Sequence, residues 1–332
     1  MKGLIRVNRY FSTCAALLAA SAMLFSGGAW ADLYNDGKVL ATGGVSMTDG
    51  AGGGGITPWA TITGYGTRDG INGNVHYTYV YLPNYTLNSI GAAVGLFDRV
   101  ELSYANDVLP TGSTFNTVGL LTTTGGVPTG IEPWNTTIKM DIFGAKVRLF
   151  GEAIYDSDNL IPQVAVGGFY KRNRNEALLK TLQAAKSKDW EAYVSATKIF
   201  FPINTLINVT LRYTAANETG LTGFGGPDGD KKKIRPEVSI AYLLNKGTAI
   251  GAEYQKHGRN LEGLSANLGT VAVPGGSGNS QALTQHESDW YDAFVAFFPS
   301  KNLSITMAYA MLGNITLTPN QNGYYISLQA SF

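Results

Sequence analysis

The chain ends in Gly323-Tyr-Tyr-Ile-Ser-Leu-Gln-Ala-Ser-Phe332, a stretch in which apolar and polar residues alternate. Every second residue from Tyr324 to Phe332 forms one apolar set, and the residues between them are tyrosine, serine or glutamine. Because successive side chains of a β-strand point to opposite faces, this pattern predicts a strand with one face in an apolar medium and one in water. An open edge strand invites aggregation unless another strand pairs with it. The pattern therefore predicts a sheet closed into a barrel, in which the last strand pairs with the first.

The same alternation recurs along the chain and predicts further strands with two different faces. It is clearest in residues 75–81, 100–104, 207–213, 238–244 and 303–311. Short turns are predicted at 97–99, 201–204, 245–247 and 299–301, and long polar segments lie near 106–136, 172–188, 216–234 and 258–287. This alternation of short and long connections is typical of outer-membrane barrels, which have short periplasmic turns and longer extracellular loops. It favours such a barrel over a soluble β-sandwich.

The number of strands can be predicted if Phe332 is placed in the periplasm and the membrane crossings are counted backwards along the chain. The count predicts an all-β, transmembrane, antiparallel up-and-down barrel of about fourteen strands, an even number as in bacterial barrels. It requires strands at about 38–47 and 56–65. The alternative is a barrel of twelve strands in which Val39 to Gly64 folds inward as a plug, with the glycine run at 50–55 as a hinge. We also expect a β-bulge near Gly144, where alternation in the strand 137–150 is broken.

The amino end has the pattern of a secretory signal peptide over residues 1–31. Three basic residues precede a short apolar run, and Ala29-Trp-Ala31 fits a cleavage site. Cleavage there would remove the one cysteine, Cys14, and leave a single barrel domain at 32–332 with 22 basic and 24 acidic residues, a net charge of −2. That charge argues against nucleic acid as a partner.

Charged residues on the polar strand faces are the candidate functional residues. If the apolar faces contact lipid, charges belong in the lumen, because Arg or Lys at the bilayer midplane costs about 2–4 kcal/mol. The residues predicted to line a pore are Arg99, Glu101, Lys139, Asp141, Glu191, Arg212, Glu237, Glu253 and Asp292. They could either line a water-filled pore of mixed charge or pair into a packed, closed interior. The pore is favoured, because about fourteen strands enclose more space than the roughly eight-stranded barrels that side chains fill.

Residues for catalysis or metal binding are few. His257 and His286 bracket one long loop and have acidic residues within a few positions, so a metal site is conceivable from ligand type but fits no compact motif. The run His286-Glu-Ser-Asp289 contains the residue types of a hydrolase, yet His286 and Ser288 would share a strand face from which Asp289 points away. We therefore predict no catalytic residue, metal or cofactor, with a rim-located enzyme as a less favoured function.

One long loop is expected to contain a short amphipathic helix. Leu178, Leu179, Leu182 and Ala185 recur at helical spacing within 175–187. Such a helix must cover something with its leucines, either by capping the rim or by folding inward to narrow the pore. In another loop, the lysines at 231–233 are expected to be solvated or to contact phosphate groups of surface lipid.

The sequence resembles a family of Gram-negative outer-membrane proteins classed as of unknown function. The likeness lies in Ala41-Thr-Gly-Gly-Val-Ser46, the glycine-rich run before Pro58-Trp-Ala60, Gly64-Tyr-Gly-Thr-Arg68 and Gly95-Leu-Phe-Asp-Arg-Val-Glu-Leu-Ser103, and it covers essentially the whole mature chain. The ending also resembles the terminal strand of outer-membrane proteins, whose final Phe is an assembly signal, which implies this role for Phe332. The resemblance implies a barrel in the outer membrane and supplies no activity.

The favoured function is a porin-like channel for passive passage of small solutes. The alternative is a non-conducting structural barrel whose loops bind partners. The expected partners are outer-membrane lipid and lipopolysaccharide, the barrel-assembly machinery and small solutes.

Overall fold

The computed structural model describes residues 36–112, 136–155, 159–261 and 286–332, apart from Leu317. The predicted signal peptide at 1–31 lies outside the described residues, as do the central parts of two predicted long loops. Among the described residues, no helix combines the length and apolar composition needed to cross a bilayer.

Twelve antiparallel strands form a closed barrel in which each strand pairs with its neighbour in sequence. They are β3 (Ile71–Tyr81), β4 (Thr86–Leu96), β5 (Val100–Pro110), β6 (Thr137–Phe150), β7 (Gln163–Asn173), β8 (Lys188–Phe200), β9 (Thr205–Thr214), β10 (Lys233–Asn245), β11 (Thr248–Gln255), β12 (Trp290–Ser300), β13 (Leu303–Met311) and β14 (Asn322–Ser331). The barrel closes between β14 and β3, where Ile326 pairs with Tyr79 and Leu328 with Tyr77. The predicted pairing of the last strand with the first barrel strand is confirmed.

The expected count of fourteen strands is wrong, and the alternative of twelve with an amino-terminal plug is confirmed. Two short strands, β1 (Val45–Ser46) and β2 (Gly52–Gly53), form a separate two-stranded sheet. The segment 38–64, which contains them, is almost wholly buried. A spanning strand needs an apolar face turned to lipid, whereas the large apolar residues of this segment, such as Met47, Trp59 and Ile62, are buried instead.

The outer surface of the barrel is apolar, and aromatic residues lie towards both ends of the strands. Exposed aliphatic residues such as Val209, Ile240 and Met307 alternate with buried polar ones along their strands. Tyr309 and Tyr324 pack with ring centroids 5.1 Å apart on neighbouring strands, near the end with long loops. This surface has the apolar band and aromatic girdles of a membrane-spanning barrel.

Strand β6 departs from the predicted pattern. Its pairing with β5 runs without interruption through Gly144, so the bulge expected there is absent, and an irregularity in pairing with β7 lies between Arg148 and Phe150 instead. The buried residues of β6 include Ile138, Met140 and Ile142. Near the loop end this strand therefore turns a run of apolar side chains inward, whereas the inward faces of most other strands are mainly polar.

The two ends of the barrel differ as predicted. Turns of a few residues join β4 to β5, β8 to β9, β10 to β11 and β12 to β13 at what we term the turn end. Long connections, including those at 174–187 and 215–232, lie at the opposite end, which we term the loop end. The helix α1 (Glu176–Thr181) lies in the first of these, within the predicted helical segment.

Candidate functional site

The candidate site is the barrel interior, most of which is occupied by residues 36–65, termed the plug. The plug begins at the turn end, where Lys38 pairs with Asp98 at 2.7 Å and donates to the carbonyl of Ile62. The glycine run at its centre lets the backbone pass close to the wall. A side-chain carbon at Gly54 would overlap the carboxylate of Glu253, and one at Gly55 would overlap the Tyr325 hydroxyl.

A buried ion pair on β5 and β6 holds two separate parts of the plug. Glu101 and Lys146 are each 1% exposed and lie 2.9 Å apart. The Glu101 carboxylate accepts the backbone N–H groups of Gly52 and Thr63 at 2.9 and 2.8 Å. The Lys146 ammonium donates to the carbonyls of Gly52 and Thr61 at 2.9 and 2.8 Å. Both charges are therefore compensated by each other and by plug backbone.

The middle of the plug is bonded to strands β8 to β11. The carbonyl of Pro58 accepts hydrogen bonds from the side chains of Ser195, Asn208 and Thr210 at 3.1, 3.3 and 2.8 Å. The Glu253 carboxylate accepts the N–H of Ile56 at 2.8 Å and the hydroxyl of Thr57 at 2.6 Å. Polar groups that would face water in an open lumen thus bond to the plug, mostly to its backbone.

Further towards the loop end, three carboxylates and two cations form one buried cluster. Arg212 lies 3.0 Å from Asp49, 3.3 Å from Glu191 and 2.6 Å from Glu237. Lys171 lies 2.9 Å from Asp49 and 2.6 Å from Glu191. Asp49 belongs to the plug, whereas the other four belong to the wall. The wall residues alone carry two positive and two negative charges.

The loop between β9 and β10, residues 215–232, folds over the interior at the loop end and is termed the cap. Lys171 donates to the carbonyl of Thr219 at 2.8 Å, and Asn173 donates to the carbonyl of Leu221 at 2.8 Å. Thr219 has a φ of +57°, a left-handed conformation that is costly for a β-branched residue and needs support from its surroundings. The two hydrogen bonds from β7 supply such support.

Glu218 joins the cap to two other loops. Its backbone N–H donates to Nε2 of His257 at 3.3 Å, and its carboxylate accepts the N–H of Thr316 at 3.1 Å. The His257 ring stacks on Trp290 with centroids 5.1 Å apart. Burial lowers the pKa of His257, although the Glu218 carboxylate acts in the opposite direction. His257 is thus held as a neutral acceptor beneath the loop end.

The predicted helix contributes to this closure. Leu178 and Leu182 pack in the same buried apolar cluster as Ile138 and Met140 of β6. Just after the helix, Lys186 and Phe224 of the cap exchange backbone hydrogen bonds of 3.0 and 2.9 Å. The helix covers the rim with its leucines and holds the cap, which corresponds to the first of its two expected roles.

The nine residues predicted to line a pore fall in three places. Six are buried on inward faces of their strands and contact the plug, the charge cluster or the upper interior; these are Glu101, Glu191, Arg212, Glu237, Glu253 and Asp292. Arg99 lies exposed in the turn before β5. Lys139 and Asp141 lie on the outward face of β6, where Asp141 pairs with Arg174 at 2.6 Å. Their assignment to the lumen is corrected, because β6 has the opposite inward face from the one expected.

Several interior charges were not predicted from the sequence, and three of them are central to the site. Lys146, Lys171 and Asp49 stand at the centres of the contacts described above. Lys146 and Lys171 fit the alternation of β6 and β7. Knowing which set of alternate residues faces inward in each strand would therefore have identified them. Nothing in the glycine-rich sequence around Asp49 distinguishes it from a loop carboxylate.

The residues considered for a metal or a catalytic triad are not gathered into either kind of site. Asp289 accepts the backbone N–H of His257 and the ammonium of Lys256, and Glu253 faces the plug. The Ser288 hydroxyl accepts the N–H of Asn314. In the part of the chain that the structure describes, no three His, Cys, Asp or Glu side chains are grouped to hold a metal ion.

Comparison with known proteins gives a family match and distant structural likenesses. Residues 42–329 match the family described as "Protein of unknown function (DUF3034)". No curated protein matches the chain. The "KdgM porin" is 9% identical with a TM-score of 0.45, covering 78% of this chain and 99% of that one, and the NanC porin is 8% identical with a TM-score of 0.44, covering 78% and 98%. Outer membrane phospholipase A from Escherichia coli is 10% identical with a TM-score of 0.37, covering 79% and 91%. At these values the likenesses carry no conclusion about activity.

Proposed function

We propose that this chain, which belongs to the DUF3034 family of proteins of unknown function, is an outer-membrane channel for small solutes that is closed at rest by its plug. The observation that carries the proposal is that the twelve-stranded wall is complete without the plug. Each barrel strand pairs with two neighbours, and the plug adds no strand to the wall. The plug can therefore move without opening the sheet or exposing its backbone groups to lipid.

The contacts of the plug with the wall support movement more than permanent closure. Many of them are hydrogen bonds and ion pairs between polar groups, which water can replace at modest net cost, about 0.5–1.5 kcal/mol for a typical hydrogen bond. If the plug left, inward residues such as Glu101, Ser195, Asn208 and Thr210 would face a water-filled lumen. A twelve-stranded barrel is wider than the eight-stranded barrels whose side chains fill the interior.

The apolar outer band and aromatic ends support placement in a membrane, and the predicted signal peptide and terminal Phe332 support the outer membrane. In this placement the turn end faces the periplasm and the cap faces outside. The expected partners are the barrel-assembly machinery, outer-membrane lipid and lipopolysaccharide. Lys231 in the cap and Lys233 at the start of β10 are both exposed and are placed to contact lipopolysaccharide phosphates.

A non-conducting structural barrel is the second candidate, and one observation favours it. Several buried carboxylates and cations of the interior are matched with partners from wall and plug, as at Glu101 with Lys146 and at Arg212 with Glu237. Such a well-compensated interior suits a barrel that never opens. A measurement of ionic conductance distinguishes the channel from the non-conducting barrel.

The test measures single-channel conductance of three forms of the refolded protein in planar bilayers. The forms are the mature chain, a chain lacking residues 39–64, and that deletion with the cap shortened across residues 216–231. Arg68→Gln is the matched control, because Arg68 is largely exposed near the turn end of the plug segment. We expect rare or no steps from the mature chain and the control, and regular steps from one or both deletions. Each form is checked for folding by its altered mobility on an unboiled detergent gel.

Two results would contradict the proposal. Folded deletion variants that stay silent would establish the non-conducting barrel as the better function. A mature chain that conducts as readily as the plug deletion would show that the plug does not close the channel.

A further inference from the structure

An apolar compartment lies inside the barrel at the loop end, separate from the polar contacts of the plug. It encloses about 90 Å³ between the plug tip, the upper strands and the cap. A single water molecule needs only about 10–15 Å³ on a comparable measure, and an apolar cavity of about 150 Å³ can hold benzene. The compartment is therefore large enough for a small organic molecule of a few heavy atoms.

The walls of this compartment are aliphatic, although the lumen-facing residues of outer-membrane barrels are usually polar. Leu87, Leu109 and Ile138 come from the wall, and Leu312 and Ile315 come from the connection between β13 and β14. The inverted face of β6 places Ile138 here. Dry, apolar cavities of this kind favour apolar ligands over water, because water there would lack hydrogen-bond partners.

Two polar groups in the lining make the compartment more specific. The indole Nε1 of Trp290 and the hydroxyl of Thr316 are buried and have no hydrogen-bond partner among the described residues. Both residues line the compartment. Buried polar groups in native proteins are nearly always bonded, so each such group calls for an explanation. An indole N–H can only donate, and a hydroxyl can also donate, so both suit an oxygen acceptor on a ligand.

The carboxylate in the lining, that of Glu218, already has hydrogen-bond donors. Glu218 contacts the compartment, but its carboxylate accepts the N–H of Thr316 and the hydroxyl of Thr222 and lies 4.0 Å from His257. A charged ligand would lose its hydration among aliphatic side chains; an anion would also meet the Glu218 carboxylate, and a cation would meet a carboxylate whose oxygens are already hydrogen-bonded. The lining therefore selects against ions of either sign.

We infer that this compartment binds a small uncharged organic molecule with an apolar body and one hydrogen-bond-accepting oxygen, of the chemical class of a small ketone. The apolar body fills the space among the leucine and isoleucine side chains, and the oxygen accepts from Trp290, Thr316 or both. The inference goes beyond the proposed channel, because the compartment exists in the closed protein and binding does not require the plug to move. Binding and conductance can therefore fail independently.

Three five-carbon ring compounds test the inference by calorimetry and ligand-observed nuclear magnetic resonance on the full mature chain in detergent. Cyclopentanone supplies the acceptor, cyclopentane lacks it, and cyclopentylamine is charged at neutral pH. We expect saturable binding of cyclopentanone, weaker binding of cyclopentane and none of the ammonium. Since one hydrogen bond contributes about twofold to tenfold in affinity, Trp290→Phe and Thr316→Val should each weaken cyclopentanone binding by up to that factor and leave cyclopentane binding unchanged.

Two further variants keep the test decisive. Ala310→Leu places a larger side chain in the lining and should abolish binding of cyclopentanone and cyclopentane, with Ala310→Val as the milder version if the first does not fold. Thr61→Val is the matched control, because the Thr61 hydroxyl is also buried without a described partner but lies in the plug, away from the compartment. It should leave cyclopentanone affinity unchanged.

Several outcomes would overturn the inference. Cyclopentanone uptake that does not saturate, or that persists equally in the Ala310 variants, would indicate partition into detergent or another location. Equal affinity in wild type, Trp290→Phe and Thr316→Val would show that the two donors do not recognise the oxygen. Tighter binding of cyclopentylamine than of cyclopentanone would show that Glu218 makes this a cation site.

Discussion

The ammonium of Lys171 lies 2.9 Å from the carboxylate of Asp49 and 2.8 Å from the carbonyl of Thr219, so one wall residue bonds both the plug and the cap. Its third contact is Glu191 on the neighbouring strand β8, at 2.6 Å. The two elements that close the interior therefore meet at a single buried cation. Release of the plug at Asp49 would also change the environment of the cap.

This relationship predicts that Asp49→Asn loosens the plug without weakening the barrel. Removal of the Asp49 charge leaves Lys171 and Arg212 with Glu191 and Glu237, a wall cluster of balanced charge. We expect more frequent conductance steps than in wild type and nearly unchanged resistance to denaturant. A silent variant would show that the Asp49 contacts do not limit movement of the plug.

The Glu101–Lys146 pair predicts a strong effect on stability when one partner is removed. Lys146→Met leaves the Glu101 carboxylate buried without its cation, and breaking such a pair costs about 3–5 kcal/mol. The double variant Lys146→Met with Glu101→Gln removes both charges and should recover part of the loss. Denaturant unfolding of the refolded proteins measures both. Equal stability of the single variant and wild type would mean that the pair is not buried as described.

Arg212 and Arg99 are predicted to behave differently, although the strand pattern places both in the lumen. Arg212→Gln leaves Asp49, Glu191 and Glu237 with Lys171 as their one cation in the cluster, so we expect a loss of several kcal/mol in unfolding free energy. Arg99→Gln changes an exposed turn residue and should stay within about 0.5 kcal/mol of wild type. Both values come from the same denaturant titration. Similar losses in the two variants would contradict the separation of the two residues.

The burial of His257 predicts that the stability of the cap depends on pH. Burial lowers its pKa, with Arg235 acting in the same direction and the Glu218 and Asp289 carboxylates against it, so the folded chain resists protonation that the unfolded chain accepts below its ordinary value of about 6.5. The stability of the cap should therefore fall as pH decreases below about 6.5, because the unfolded form then binds more protons. Hydrogen exchange of the cap amides between pH 7.5 and 5 measures this. His257→Gln keeps an acceptor but cannot titrate, and its cap should lose this component of the pH dependence.

Phe332 is predicted to support assembly at the seam of the barrel. Its backbone exchanges two hydrogen bonds of 2.9 Å with Gly73 at the start of β3. Deleting Phe332 removes these bonds and the terminal aromatic ring, so we expect less assembled protein in outer-membrane fractions. Phe332→Tyr keeps the aromatic ring and is the matched control. Unchanged levels of heat-modifiable protein after the deletion would exclude a role for this residue as an assembly signal.

The barrel can be predicted from the sequence because the alternation that indicates it is a local property of each strand. Alternation of side chains with a period of two, as from Tyr324 to Phe332, depends only on the geometry of a strand. The same pattern predicts the closing pair of strands, the short turns at one end and the inward position of residues such as Glu237 and Glu253. The short helix at 176–181 is similarly predicted by the spacing of its leucines.

The contents of the barrel were decided by tertiary structure, for a different physical reason. Residues 38–64 could either extend the wall or enter it, and the choice depends on contacts with residues far along the chain, such as Pro58 with Thr210 and Ile56 with Glu253. The inward face of β6 was likewise set by the apolar space beneath the cap, which only the folded loops create. Sequence alternation thus determined which residues form the wall, whereas partners distant in sequence decided whether inward charges face water or one another.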